Sequence, residues 1–200
     1  MLSYLTVFSS FVPVDFKKIS IMMKVQKGKQ TNIRGCLKML NEKIKVLLNQ
    51  QINKELFSAY QYLDFSRLMC EWGYSGFANW YGVQAMEEVD HAVRFFDYLN
   101  KENALVELDD IKKPNTKAKD IGEVLLSGLS HEKYITSSIN DIYAVASSVG
   151  DYRTMRFLDW FIDEQEEEEE NAMELIQKYN MVSGNYAGLY ILDEELGKRQ

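Results

Sequence analysis

Apolar residues recur at helical spacing along most of this chain, which predicts an all-α protein. From Asn41 to about Trp72 they lie three and four residues apart and define one long amphipathic helix: Ile44, Leu47, Leu48, Ile52, Leu56, Ala59 and Leu63. Gly73 is expected to end this helix. A second helix is predicted from about Ser75 to Asn100, on the apolar positions Phe77, Trp80, Val83, Met86 and Phe95.

Two further long helices follow a connection of weak periodicity at residues 101–119. Asp120 is a suitable N-cap for the third helix, which continues to about Val149. Gly150-Asp151 predicts a tight turn into the fourth helix, from about Tyr152 to Tyr179. A long connection in the middle with tight turns on either side predicts a four-helix bundle with one crossover connection.

A short tail after the fourth helix predicts a further element. Gly184 and Gly188 are expected to bracket a loop, and Leu189–Leu196 then forms a short fifth helix. Neither Pro13 nor Pro114 falls within any predicted helix, which agrees with the proposed boundaries.

Charge is distributed unevenly along the 200 residues, whose net charge is -7. Residues 1–38 hold seven of the 23 basic residues and one of the 30 acids, which leaves residues 39–200 with 16 basic and 29 acidic residues, a net charge of -13. An acidic domain attracts cations and disfavours nucleic acid and anionic membranes as partners.

Residues 1–38 are predicted to be a basic extension and residues 39–200 the folded domain, with Met39 as its natural first residue. The apolar stretch at residues 1–14 precedes its lysines, the reverse of a secretory signal. A disordered extension, a targeting leader and translation begun upstream of the true start all remain open. No stretch offers the roughly 18 apolar residues of a membrane span.

The two cysteines, Cys36 and Cys70, have no metal-binding spacing. A buried thiol is the expectation for Cys70, and a reducing compartment is the favoured setting.

Glu88 and His91 form a Glu-x-x-His step in the second helix. Residues three apart project from the same helical face, so this pair can direct a carboxylate and an imidazole at one point. Such steps also occur on helix surfaces and at caps. A metal-binding interpretation therefore depends on carboxylates from other helices.

Each of the other three long helices supplies a candidate carboxylate. The first offers Glu55 within its apolar stripe, with Tyr62 two turns further along the same face. The third offers Glu132, and the fourth offers residues spaced i, i+3 and i+4, namely Glu164, Glu167 and Glu168. Inward carboxylates with one or two imidazoles are what a di-iron bundle requires. The opposing interpretation is that helical Glu residues, especially the run 166–170, form a solvated face.

Several segments in this order resemble the bacterial-type non-haem ferritins: Asn53–Ala59, Met86–His91, His131–Glu132, Asp163–Glu168 and Gly188–Tyr190. The resemblance runs from Met39 to about Gly197 and implies a ferritin-like bundle with a short fifth helix. In that family the first iron site matches Glu55, Glu88 and His91. The second matches Glu88 as a bridge with Glu132 and Glu168.

The resemblance also implies residues around the iron pair. A third, carboxylate site matches Glu87, Glu164, Glu167 and Glu168. Gln165, Tyr62 and Trp160 match residues close to the irons, and the two aromatic residues match electron donors. His131, about 100° around the helix from Glu132, is expected to support the site or lie on the surface.

Two departures separate this chain from haem-binding and peroxidase relatives. Glu167 stands where those proteins have a second Glu-x-x-His histidine, and Val89 stands where a haem-ligating Met is usual. The resemblance therefore implies iron without haem.

The implied function is a ferroxidase that oxidises Fe(II) with dioxygen and stores Fe(III) as hydrous ferric oxide inside a homo-oligomeric shell of twenty-four subunits in the cytoplasm. No nucleic-acid or membrane partner is expected. Two alternatives remain open: a di-iron oxidase or peroxidase without storage, and a DNA-protecting mini-ferritin that uses residues 17–38 as a phosphate-binding arm.

Overall fold

The computed structural model describes residues 39–200, and within them the only regular secondary structure is helical. The predicted fold class, a ferritin-like four-helix bundle with a short fifth helix, is confirmed. Predictions about residues 1–38, including Cys36, lie outside the described residues. The five helices are α1 (Glu42–Glu71), α2 (Ser75–Lys101), α3 (Ile121–Ser148), α4 (Tyr152–Val182) and α5 (Tyr186–Leu196).

Side-chain caps and glycines fix most helix ends. Asp120 Oδ1 accepts a hydrogen bond from the Glu123 amide at 2.9 Å, as expected of the α3 N-cap. At the ends of α1 and α3, Gly73 and Gly150 adopt φ of +86° and +65°, a backbone conformation that favours glycine. These local signals explain why the sequence located these ends within one or two residues.

The N-terminus of α2 is capped from a distance. Its N-cap residue, Tyr74, makes no capping bond, and Asp193 of α5 instead accepts the Phe77 amide through Oδ1 at 2.9 Å. Gly76 permits this approach, because a Cβ there would lie 1.6 Å from the Asp193 carbonyl oxygen. Helix α5 is thereby docked onto the start of α2.

Helix α5 begins three residues earlier than predicted. Asn185 Oδ1 accepts hydrogen bonds from the amides of Ala187 and Gly188, both at 3.1 Å, and so starts the helix at Tyr186. The expectation that Gly188 bounds a loop was therefore wrong. Helix α4 likewise extends three residues beyond Tyr179, to Val182.

The crossover between α2 and α3 follows α1. Asn49 donates to the Leu105 carbonyl at 3.1 Å and accepts the Glu107 amide at 2.7 Å. Asn53 donates to the Asp110 carbonyl at 3.2 Å. These bonds satisfy part of the polar backbone of a long connection that has no secondary structure of its own.

Two apolar clusters fill the bundle and leave its middle for polar residues. One is built around Ile44, Phe95 and Phe161, and the other around Phe65, Phe77 and Val124. The candidate ligands of the long helices lie between them. The apolar clusters hold the helices together while the middle layer carries the chemistry.

Cys70 is exposed, so the expectation of a buried thiol was wrong. The preceding residue, Met69, takes the fully buried position, and one residue further along a helix turns the side chain about 100° away. Among the described helices, none has a stretch apolar enough to cross a membrane.

Candidate metal centre

The four long helices each direct at least one candidate ligand into the middle of the bundle. The relative exposures of these residues are 6% or less, which is rare for carboxylates unless they are paired or bind metal: Glu55, Glu88, His91, Glu132 and Glu168. The structure thus buries inside the bundle the residues that the resemblance assigned to the two iron positions.

One group of three potential ligands consists of Glu55, Glu88 and His91, whose ligand atoms all lie within 4.8 Å of one another. His91 Nδ1 is 3.3 Å from Glu88 Oε2. Glu55 Oε1 accepts a hydrogen bond from Gln51 Nε2 at 2.9 Å, whereas Glu55 Oε2 is buried without a hydrogen-bond partner. A buried carboxylate oxygen without a donor is costly, and a bound cation would satisfy it.

A second group of three combines His91 with Glu164 and Glu168, again within 4.8 Å. His91 Nε2 lies 3.8 Å from Glu164 Oε1, so the two ring nitrogens face carboxylates of different helices. The resemblance had assigned Glu164 only to the third site. The structure places its carboxylate close to His91 as well.

Glu132 has a hydrogen-bond donor for each oxygen. The Tyr62 hydroxyl donates to Oε1, and Gln165 Nε2 donates to Oε2 at 3.3 Å. Of the two three-ligand groups found within residues 39–200, neither includes Glu132. Its position as a ligand to a second ion stays a prediction.

Glu168 is held by Gln84, a residue that the sequence interpretation did not identify. Gln84 Nε2 donates to Glu168 Oε2 at 2.7 Å, and Gln84 is itself buried. One signal was available: Gln84 lies four residues before Glu88 and therefore one turn away on the same face of α2.

Burial and mutual repulsion raise the pKa values of the central carboxylates. Desolvation raises the pKa of Glu55 and of Glu88 well above the ordinary value, and neighbouring carboxylate charges raise both further. Desolvation, followed by the charge of Glu132, raises the pKa of Glu168 to about 8. Without a cation the cluster therefore retains protons near neutral pH, and a metal ion would displace them.

Of the predicted third-site carboxylates, Glu168 is buried and the other three lie at the edge of the cluster. Glu164 and Glu87 are partly exposed and Glu167 is exposed. The charges of Glu167 and Glu87 raise the pKa of Glu164, after the larger effect of desolvation. Glu87 Oε2 is paired with Arg199 Nη2 at 2.6 Å, a contact that the sequence did not predict.

Aromatic residues adjoin the ligands on two sides. The Trp160 ring packs edge-on to His91 with a centroid distance of 5.5 Å, and the Arg94 guanidinium lies 3.9 Å from the Trp160 ring centroid. Tyr62 is stacked against Tyr81 at 5.8 Å. Tyr81 was not identified from the sequence.

His131 is not part of either ligand group. Its Nε2 lies 2.7 Å from Ser58 Oγ, and burial lowers its pKa to about 4, so the ring is neutral at physiological pH. Its position beside the site agrees with a supporting role rather than ligation.

A small cavity lies beside the centre. It is lined by two candidate ligands, Glu132 and Glu168, together with Tyr62, Trp80, Tyr81 and Gln84.

Comparisons with known proteins agree with this architecture. The family model described as "Ferritin-like domain" matches residues 45–182. The chain therefore belongs to the ferritin family. It is 35% identical over 159 residues to a probable bacterial non-heme ferritin-like protein of Haemophilus influenzae, covering 80% of this chain and 96% of the relative.

Two further relatives define the likeness more closely. The bacterial non-heme ferritin of Campylobacter jejuni is 35% identical over 156 residues, covering 78% of this chain and 93% of that protein. The crystal structure of an open pore ferritin from the archaeon Archaeoglobus fulgidus superimposes with a TM-score of 0.79 at 33% identity, covering 80% of this chain and 98% of that one. The resemblance to bacterial-type non-haem ferritins is thus confirmed.

Proposed function

We propose that this protein is an iron-storage ferritin with ferroxidase activity, which oxidises Fe(II) with dioxygen at an intrasubunit di-iron centre. Fe(III) is then stored as hydrous ferric oxide inside a homo-oligomeric shell of twenty-four subunits. The observation that carries the proposal is the buried set of carboxylates and one imidazole from four helices, with Glu55 Oε2 lacking a hydrogen-bond partner.

The ligand types suit iron as a substrate. Glu55, Glu88 and His91 bind one ion, and Glu88, Glu132 and Glu168 bind the other, so Glu88 bridges them. Oxygen donors accommodate both Fe(II) and Fe(III). Two ions held side by side can each supply one electron to dioxygen, which enters through the cavity lined by Tyr62 and Gln84.

Neighbouring residues orient the ligands and supply electrons. Tyr62 and Gln165 hold the Glu132 carboxylate, and Gln84 holds that of Glu168. Tyr62 and Trp160, adjacent to the ligands, serve as electron donors. Glu87, Glu164, Glu167 and Glu168 form the third iron site, from which ions pass towards the store.

The charge of the domain supports handling of cations rather than nucleic acid. With a net charge of -13 over residues 39–200, the subunit draws Fe(II) towards its acidic surface. Val89, where haem-binding relatives have Met, argues for a centre without haem. We place the protein in the cytoplasm.

The two histidines of the chain provide a matched test, since both are buried and only His91 belongs to the ligand groups. Metal-free wild type, His91→Ala and His131→Ala are loaded with Fe(II) anaerobically and then exposed to air, while ferric absorbance and particle size are followed. We expect His91→Ala to lose rapid oxidation and His131→Ala to retain it. Equally fast oxidation in His91→Ala would defeat the site assignment.

A further inference from the structure

Arg199, near the C-terminus, lies against the edge of the carboxylate cluster. Its Nη2 is 2.6 Å from Glu87 Oε2, and its Nη1 donates to Gln84 Oε1 at 2.9 Å and to the Trp80 carbonyl at 3.3 Å. The guanidinium also lies 4.2 Å from the centroid of the Trp80 ring. Residues 80, 84 and 87 fall on one face of α2, so one guanidinium is held by three successive positions of that face.

The carboxylate that Arg199 neutralises, Glu87, acts through its charge on the candidate metal ligands. The charge of Glu87 contributes to the raised pKa values of Glu88, Glu164 and Glu168. Glu87 is therefore close enough to act on three candidate ligands, and its ion pair with Arg199 reduces that repulsion.

The contact between Arg199 and Gln84 extends into the centre. A guanidinium has donors only, so it fixes the Gln84 amide with its oxygen towards Arg199 and its nitrogen towards Glu168. Gln84 Nε2 then donates to Glu168 Oε2 at 2.7 Å. Arg199 thus positions a candidate ligand through one intervening side chain.

The backbone around Arg199 is fixed as well as its side chain. Asn79 Nδ2 donates to the carbonyls of Leu196 and Arg199, at 3.2 Å and 3.0 Å. Together with the bond between Asp193 and the Phe77 amide, these contacts attach the end of the chain to α2. Arg199 is consequently held beside Glu87 by the fold.

We propose that Arg199 is an internal counter-cation that competes with a divalent metal ion for Glu87 and so controls how readily the third iron site fills. This inference rests on the proposed function, which assigns Glu87 to that site. Arginine stays charged at all physiological pH values, so a metal ion can use Glu87 only if the ion pair breaks or the two cations repel each other at close range. The third ion should therefore bind more weakly than the first two.

Anaerobic calorimetric titration of the metal-free protein with Fe(II) tests the inference. The first two equivalents per subunit report on the di-iron centre, and the third reports on Glu87. In wild type, binding of the third ion must break the charge-assisted bond between Arg199 and the partly exposed Glu87. Arg199→Gln removes this cost, so we expect this variant to bind the third equivalent roughly tenfold more tightly. Lys198→Gln is the matched control, since it removes the same charge from the exposed neighbouring residue.

Two further variants test whether the gain depends on the ion pair between Arg199 and Glu87 or on the loss of a positive charge in general. In a Glu87→Gln background, Arg199→Gln should give no gain, because the carboxylate for which the two cations compete is absent. Unchanged third-equivalent affinity in Arg199→Gln, or an equal gain in Lys198→Gln, would overturn the inference. Thermal unfolding of each metal-free variant verifies that the fold is intact.

The titration also distinguishes this inference from the proposed function. If wild type fails to bind the first two equivalents, both the di-iron centre and the role of Arg199 are wrong. If the first two equivalents bind and only the predicted change in the third is missing, the proposed function stands and the role of Arg199 is wrong.

Discussion

At the level of single residues, the buried carboxylates lower the stability of the metal-free fold, and a bound cation would relieve this cost. Glu55, Glu88, Glu132 and Glu168 are all nearly inaccessible to solvent, and desolvation is the largest cause of the raised pKa of each. Since burial shifts each of them towards its protonated form in the metal-free protein, ionising them without a cation lowers the stability of the fold. A divalent ion reverses this effect by neutralising the cluster.

Because the pKa of Glu168 is raised, the stability of the metal-free protein should depend on pH. This pKa rises from an ordinary 4.5 to about 8 in the folded protein, so between these values the folded protein holds a proton that the unfolded chain has released. Stability of the metal-free protein should therefore fall as pH rises from about 5 to 8. In Glu168→Gln we expect the difference in unfolding free energy between pH 6 and pH 8 to shrink by about 1–2 kcal/mol.

Thermal unfolding of the metal-free protein at several pH values measures this change. Glu166→Gln, which alters an exposed acid two residues away on the same helix, is the control and should leave the pH profile unchanged. A profile in Glu168→Gln identical to that of wild type would show that Glu168 is already ionised at pH 6.

Which residues of the site could be predicted depends on how local their signals are. Glu88 and His91 share a helical face by spacing alone, and Glu55 stands in an apolar stripe, so the sequence predicted them as candidate ligands. Gln84 and Arg199 act through contacts between positions that are far apart in the sequence. Gln84 bonds to Glu168 across a separation of 84 residues, and Arg199 bonds to Gln84 across a separation of 115 residues. No local pattern encodes such pairings.

Among the elements, the four long helices were predictable and the docking of α5 was not. Asp120, Gly73 and Gly150 mark helix ends through their own conformational preferences. The α2 N-terminus instead depends on Asp193, 116 residues from Phe77. Before the chain folds, nothing near Phe77 distinguishes this helix start from one without a cap.

Gly76 controls the docking of α5 onto α2, which predicts a contrast between two glycines of the same helix. A Cβ at position 76 would meet the Asp193 carbonyl oxygen at 1.6 Å, whereas a Cβ at Gly82 has its nearest neighbour, Ser66 Oγ, at 3.9 Å. We expect Gly76→Ala to destabilise the protein by about 1–3 kcal/mol through overpacking. Gly82→Ala should be stabilising by roughly 0.5–1 kcal/mol, because glycine is unfavourable inside a helix.

Denaturant unfolding measures both changes, and limited trypsin digestion locates the effect. Release of α5 from α2 exposes the backbone around Lys198 and Arg199, so Gly76→Ala should be cleaved there faster than wild type. If Gly76→Ala is as stable and as resistant to trypsin as Gly82→Ala, the close approach of Asp193 is incorrect.

At the scale of the whole molecule, oxidation and storage make different demands. The candidate ligands all belong to one subunit, so the proposed oxidation should need only an intact bundle. Storage needs an enclosure, which a single bundle of this size does not provide. The crossover connection exposes large apolar side chains, with Leu105 and Leu108 at 66% and 64% exposure, as expected of a surface that is covered on assembly.

Separating the subunits should therefore abolish storage and spare oxidation. In the double variant Leu105→Glu/Leu108→Glu, we expect light scattering to show small species in place of a shell, because charged residues at an apolar contact oppose assembly. Fe(II) should be oxidised at the wild-type rate, but the ferric product should precipitate instead of remaining in a soluble particle. Lys113→Glu, which adds negative charge to the same connection without removing apolar surface, should assemble and store iron normally. A dissociated variant that also loses rapid oxidation would mean that the iron site needs neighbouring subunits.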